Sequence, residues 1–401
     1  MPRDQTDAGV GAAGRHVVKL SPDMLANIHG RLSFVDRLAF ASVFRESRDA
    51  FKPEAPWLVL PGGTPETATL FSLADRRAAA ARVTSPGIRG HAFLGSSRGW
   101  LATADESGRM SLVNPVSGEQ RALPAITTIP GLEEYDGVFA FPLKPFVRGP
   151  PYAGGREPRG TFTLKAEQMG SYLYRKVVLS DGCHGAAMLI TGAMFGVAAF
   201  ATAKDAAWRL APSRDGVEDA IHYDGRFYSV TYTGAVEVWE HDPYAGVFTS
   251  AVVTPRLDDV AGDPHYRRKY LVAALGGRLM VVLKDWKETK DKLNKIRWAC
   301  SFKVQVLDGG QWKKTDDIGD AALFIGANES LCLSTRVHPK LKAGHVYYIE
   351  DDLSHKGRSR YDHDWCVVRV FCLKDGTEEN VEGLGMHWSW PPPAWFTPSI
   401  P

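Results

Sequence analysis

From Trp57 onward the chain is a succession of short apolar or alternating runs, cut at close intervals by Gly, Asp and Pro, and this punctuation limits its possible folds most severely. Runs of that length fit strands and are too short for stable helices. Trp100 to Ala104, a turn at Glu106-Ser107-Gly108, Met110 to Asn114 and a second turn from Pro115 to Gly118 predict a tight antiparallel meander. The same grammar returns at Ala220 to Tyr223, Asp224-Gly225, Phe227 to Tyr232, Thr233-Gly234 and Val236 to Trp239, and again at Tyr270 to Leu275, Gly276-Gly277 and Leu279 to Leu283. Further copies are read at Phe302 to Leu307, His345 to Ile349 and Trp365 to Leu373. Turn glycines 185, 225, 277 and 344 are separated by 40, 52 and 67 residues. Units of roughly 40 to 50 residues match the chain a four-stranded propeller blade consumes. The expectation is a mainly β chain, with a six- or seven-bladed β-propeller over residues 57–401. A β-sandwich needs only about 100 residues and would leave most of this stretch unused.

Ahead of the strands, Leu20 to Phe51 follows a different period. Leu20, Met24, Leu25, Ile28 and Leu32, then Leu38, Phe40, Ala41, Val43 and Phe44, are spaced by threes and fours, as on helix faces. Ser21 is placed to cap the first helix, Pro22 fits its first position, and Asp23 suits the positive end of the helix dipole. Gly30 falls in the last turn, and Asp36 is read as the cap of the second helix. Residues 19–53 are therefore expected to form a small helical domain, and residues 1–18, polar and without a long apolar run, a disordered leader.

Composition excludes several classes of function. With 48 basic and 46 acidic residues, a formal charge of +2 offers no field for nucleic acid or an anionic membrane. Five scattered cysteines without a Cys-x-x-Cys pair speak against a disulfide framework or zinc ribbon, and point to a reducing compartment, the cytoplasm or nucleus. Residues 185–203 carry no charge, but their Ala and Gly content and the interruptions at Gly192 and Gly196 predict two buried strands rather than a membrane span.

Two resemblances give these modules an identity to test. The pattern Leu20-x-x-Asp23-Met24-Leu25-x-x-Ile28-x-x-x-Leu32, followed by a Leu-rich helix and Val43-x-Arg45-x-x-Arg48, resembles an F-box; Phe44 and Ser47 stand where that motif usually has Cys and Trp. Ser97-Arg98-Gly99-Trp100-Leu101, Leu112-Val113-Asn114-Pro115, Val217-Glu218-Asp219, Leu323-Phe324-Ile325-Gly326 with Ser330, and the closing Pro391-Pro392-Pro393-Ala394-Trp395-Phe396 resemble plant F-box proteins with a KIB-type β-propeller. That likeness implies the substrate-recognition subunit of a Skp-cullin-F-box ubiquitin ligase. It would be non-catalytic, with a Skp-type adaptor, and through it a cullin, on one side and a target protein on the other. Leu20, Leu25, Ile28, Leu32, Leu38, Val43 and Arg45 are the expected adaptor contacts. An interaction scaffold without a ligase link is the rival reading, and a propeller enzyme or small-ligand binder a more distant one.

Residue patterns that would carry catalysis are weak in this chain. Cys183-His184 is adjacency without convergence, Tyr361-Asp362-His363-Asp364 reads as a polar loop, and residues 153–160 lack the Lys and Ser or Thr of a phosphate loop. No cofactor or metal is expected. The mixed-charge run from Lys284 to Arg297 is read as a solvated insertion, and Lys284, Trp286 and Lys287 as candidates for the rim of a target-binding groove.

Overall fold

The computed structural model describes residues 20–43, 54–62, 64, 67–82, 91–142, 160–166, 168–169, 173–180, 185–192, 197–202, 204–242, 244–258, 267–290, 296–350, 368–385 and 392–399. These fall into two compact units, divided between residues 53 and 54. In the first, α1 (Pro22–Arg31) begins as its sequence indicates: the Ser21 hydroxyl accepts from the Met24 amide at 3.3 Å, Pro22 opens the helix, and Gly30 lies in its final turn. α2 (Phe34–Val43) corrects the sequence reading of its cap. Ser33, not Asp36, is the capping residue: its hydroxyl accepts the Asp36 amide at 3.2 Å and donates to the Asp36 carboxylate at 2.6 Å. Asp36 sits three positions into the helix, the reciprocal place in a capping box.

The second unit is built of antiparallel meanders laid out in chain order. β1 (Trp57–Pro61), β2 (Thr67–Ser72) and β3 (Arg77–Arg82) begin the first sheet. β4 (Ala92–Ser97), β5 (Trp100–Ala104), β6 (Met110–Val113) and β7 (Gln120–Leu123) make the second. A three-stranded sheet of β8 (Glu133–Tyr135), β9 (Val138–Pro142) and β10 (Thr161–Lys165) follows. Next come β11 (Tyr174–Leu179), β12 (Ala186–Thr191), β13 (Ala198–Thr202) and β14 (Arg209–Ala211), then β15 (Val217–Tyr223), β16 (Arg226–Thr231), β17 (Val236–Asp242) and β18 (Val247–Val252). The following sheet holds β19 (Arg267–Ala273), β20 (Leu279–Lys290), β21 (Ile296–Asp308) and β22 (Gln311–Thr315). Another contains β23 (Ala321–Ile325), β24 (Leu331–Ser334), β25 (His345–Ile349), β26 (Val368–Cys372) and β27 (Glu378–Asn380). Finally β28 (Ala394–Phe396) returns to pair with β1, so the first sheet joins strands from both ends of the unit.

Six of these sheets stand as blades around a central channel, since β28, β4, β11, β15, β19 and β24 follow one another along its wall. The three-stranded sheet is an insertion between the second and third blades, because β4 lies directly against β11. Gly95 makes that approach possible: a Cβ there would sit 1.9 Å from the Val177 carbonyl oxygen. The insertion's Phe139, Phe141 and Leu164 share a core with Trp100, Met110, Leu189 and Trp208 of the flanking blades. Trp208 fastens it, donating from Nε1 to the Pro124 carbonyl at 2.8 Å and from its amide to Thr128 Oγ1 at 3.1 Å.

From the second blade round to the first, the seams between blades are filled by aliphatic and aromatic side chains. The apolar run at 185–203 becomes β12 and β13, buried strands as its composition predicts, and no described helix is long and apolar enough to cross a membrane. The sixth blade departs from the meander: β23 and β25 pair in parallel, and β24 folds back on the channel side of β23. The leader at 1–18, Arg45, Cys183-His184 and Tyr361 to Asp364 lie outside the described residues.

Candidate functional site

In the helical unit the expected adaptor contacts separate by exposure. Leu25 and Leu38 are buried, with Phe34 and Ala41, and so belong to the unit's own packing. Leu20, Ile28 and Leu32 are partly exposed, while Val43 is 77% and Met24 54% exposed. Arg37 Nε donates to the His29 carbonyl at 3.3 Å, and the His29 and Phe40 rings meet edge to face, which ties the two helices together. The result is a braced helical pair with apolar side chains in solvent.

Inside the propeller, the channel wall explains a group of polar residues that the sequence left as fold motifs. The strand nearest a channel has one edge with no further strand to pair, so its backbone donors need other acceptors. β15 supplies them to β19. Glu218 accepts the Lys269 amide at 2.9 Å and Asp219 the Leu271 amide at 2.8 Å, charge-assisted bonds from two neighbouring carboxylates. Asn328 does the same for β28, accepting from the Trp395 amide at 3.2 Å and donating to its carbonyl at 2.5 Å.

Successive strand residues ordinarily point to opposite faces. The register of β15 against β16 shifts between Val217 and Asp219, and matching shifts occur at Phe93/Gly95 in β4 and Tyr174/Lys176 in β11. Such bulges re-aim side chains. They stand beside the residues that supply the channel's polar groups: Ser96, Lys176 and Asp219.

These groups form closed pairs with one exception. Lys269 Nζ lies 2.5 Å from Glu218 Oε2, and Lys176 Nζ 2.8 Å from Asp219 Oδ1, each side chain no more than 5% exposed. Ser330 bridges the second pair, 3.3 Å from Lys176 Nζ and 3.4 Å from Asp219 Oδ2. Among the described residues Glu329 has only hydroxyl donors, Ser96 at 2.9 Å and Thr397 at 3.4 Å, both to Oε2. Burial raises its carboxyl to about 7 against the lowering effects of Ser96, Lys176 and Thr397. Above this floor opens a cavity of ≈ 550 Å³ whose walls include Val178, Ile221 and Tyr223. Gly277 at its edge adopts φ +84°, and a Cβ there would reach within 2.6 Å of the Tyr223 hydroxyl. Among the described residues no group of three or more His, Cys, Asp and Glu is arranged to hold a metal ion.

Two of the residues expected at a groove rim, Lys284 and Trp286, sit elsewhere. Lys284 is wholly buried, its Nζ 3.0 Å from Glu350 Oε1 and 5.1 and 5.3 Å from the ring centroids of Trp286 and Tyr348. The described part of the charged run is strand: residues 284–290 extend β20 and residues 296 and 297 open β21, the two strands pairing with each other. Trp286 packs against the core between the fifth and sixth blades, and the Lys287 side chain lies outside the described residues. Nor is there a basic patch upstream. Arg267 pairs with Asp285 at 2.6 Å, Lys269 with Glu218, and Arg268 is buried. The sequence did contain a signal for the channel, the consecutive acids Glu218-Asp219 and the Asn328-Glu329-Ser330 triplet, both in strand-rich surroundings where unpaired charge is costly.

Blades arranged about a polar channel, preceded by a capped helical pair, define a β-propeller protein with a small helical head. The chain belongs to the KIB1-4 β-propeller family, whose model matches residues 70–369. The F-box/kelch-repeat protein At1g64840 of Arabidopsis thaliana is 30% identical over 121 residues, 30% of this chain and 29% of that protein. The F-box protein At2g17036 of the same plant is 23% identical over 209 residues, 47% of this chain and 46% of the relative. The matches thus span less than half of either relative. The β-propeller domain of Myceliophteria thermophila Cps50 (Swd1) has 11% identity and a TM-score of 0.31, covering 65% of this chain and 81% of that one, a likeness too slight to bear on function.

Proposed function

We propose that the chain is the substrate-recognition subunit of a Skp-cullin-F-box ubiquitin ligase, its helical head docking on a Skp-type adaptor and its propeller holding a target protein. The observation that carries this reading is the helical pair itself. Two short, capped helices leave Met24 and Val43 in solvent ahead of a propeller of this family, and both named relatives are F-box proteins. The chain does no bond chemistry in this role. It raises the effective concentration of target lysines beside a recruited conjugating enzyme, which increases the transfer rate without a new active site.

The test is co-purification of the full chain with a Skp-type adaptor, wild type against Met24→Asp plus Val43→Asp. Both side chains are exposed, so the pair of substitutions leaves the helical packing intact, whereas Leu25→Asp would disrupt it. Retention by wild type and at least tenfold weaker retention by the variant is the expected result. A wild-type chain that retains no adaptor, where another F-box protein does, removes the ligase reading and leaves an interaction scaffold.

A further inference from the structure

Two of the three carboxylates at the channel floor are closed in ion pairs, and the third is held by hydroxyls alone among the described residues. Lys269 answers Glu218 and Lys176 answers Asp219, whereas Glu329 has no ion pair among the described residues. Among the described residues Oε1 of Glu329 receives no hydrogen bond, the hydroxyls of Ser96 and Thr397 both going to Oε2. A carboxylate held this way, in a cavity of ≈ 550 Å³, is matched by a cation that brings its own donors.

We propose that the channel mouth receives a Lys or Arg side chain from the bound target segment, its cationic head against Glu329 Oε1. The walls suit the stem of such a side chain, with Val178, Leu179, Ala220, Ile221 and Ala273 offering apolar surface above the floor. A second cavity of ≈ 290 Å³ has Leu275, Met280, Val306 and Ile318 as its apolar wall, with Arg278 and Asp317 also on its lining, and shares Ala274, Leu275 and Cys332 with the mouth. An acidic subsite and an apolar one with a common wall fit a peptide in which a basic residue stands beside an apolar residue. Two adjoining cavities favour a chain over a free amine, which would use only the first. Arg98, also on the wall of the mouth, disfavours a segment with several clustered cations.

This inference rests on the propeller being the target-holding part, and its test is independent of the adaptor. Calorimetric titration of the full-length protein would use blocked tetrapeptides Gly-Arg-Leu-Gly and Gly-Leu-Arg-Gly, the same peptides with uncharged citrulline for arginine, and spermidine as a free amine. At least one arginine peptide binds ten times more tightly than its citrulline counterpart and than spermidine. Glu329→Gln abolishes the arginine preference while unfolding no earlier than wild type, and Ile318→Ser, in the second cavity alone, weakens the peptides but not spermidine. Equal binding of arginine and citrulline peptides overturns the proposal, as does a preference that survives Glu329→Gln, or no saturable binding. Spermidine binding as tightly as the peptides reassigns the mouth to small amines and also overturns it. If the adaptor is retained while the peptides fail, this inference falls alone; if the peptides bind and the adaptor does not, the ligase reading falls alone.

Discussion

Lys176 and Glu329 stand within one electrostatic cluster and carry opposite consequences for stability. Lys176 is the counter-ion of Asp219 in a site where both are almost fully enclosed. Removing it leaves a buried anion with, among the described residues, only a backbone amide and a hydroxyl to stabilise it. Loss of one partner from such a pair costs about 3 to 5 kcal/mol. Lys176→Met should therefore lower the denaturant midpoint sharply in urea unfolding, and a loss under about 1 kcal/mol would show that the channel pair is dispensable. Glu329 behaves in the reverse sense. Its folded carboxyl titrates near 7, above the ordinary 4.5, chiefly through burial. Between those values the folded chain holds a proton that the unfolded chain has released, so this group's contribution falls as pH rises through the window and is fully unfavourable above it. Gln at this position carries no such penalty. The melting temperature of Glu329→Gln relative to wild type should thus be higher at pH 8 than at pH 5, with Lys176, Asp219, Arg98 and His222 as the charged or titratable neighbours left unchanged. A difference independent of pH would contradict the raised carboxyl.

At the scale of elements, most of the helices and strands were legible because their signals are local. Ser21 with Pro22 marked the start of α1, and Asp224-Gly225 and Gly276-Gly277 marked hairpins that the structure contains. What sequence could not supply were pairings set at long range. Nothing in Lys284 to Lys290 distinguishes a charged loop from the outer half of a long hairpin until Ile296 to Ala299 are placed opposite. Likewise Glu218 and Asp219 read as a motif because alternation assigns neighbours to opposite faces, and the bulge that breaks this rule is a property of the pairing with β16. Ser33 was missed as a cap for a simpler reason: Ser and Asp are both residue types that cap helices, and only the helix start decides between positions 33 and 36. Ser33→Ala should cost α2 about 1 kcal/mol, seen as faster amide exchange confined to the helical head. Unchanged exchange in α2 would mean that packing, not the cap, defines its start.

For the whole propeller, closure depends on a handful of residues. Trp395 in β28 is wholly buried, donates from Nε1 to the Ile325 carbonyl at 2.9 Å and meets Phe324 edge to face. Trp395→Ala is expected to destabilise the propeller by about 3 to 5 kcal/mol, measured in the same unfolding experiment. Deleting residues 392–401 removes the innermost strand of the first blade, and unfolding should lose its single cooperative transition; one sharp transition at the wild-type midpoint would show that the ring does not need this strand. The pairing of Trp57 with Phe396 also orders events in time. Translation at about 5 to 20 residues per second separates those partners by roughly 17 to 68 s. For that interval the channel-side edge of β1 waits on the ribosome with its hydrogen bonds unmade, open to chaperones or to a neighbouring nascent chain. A message cut short of residue 394 yields a protein that never leaves that state, with its helical head already synthesised.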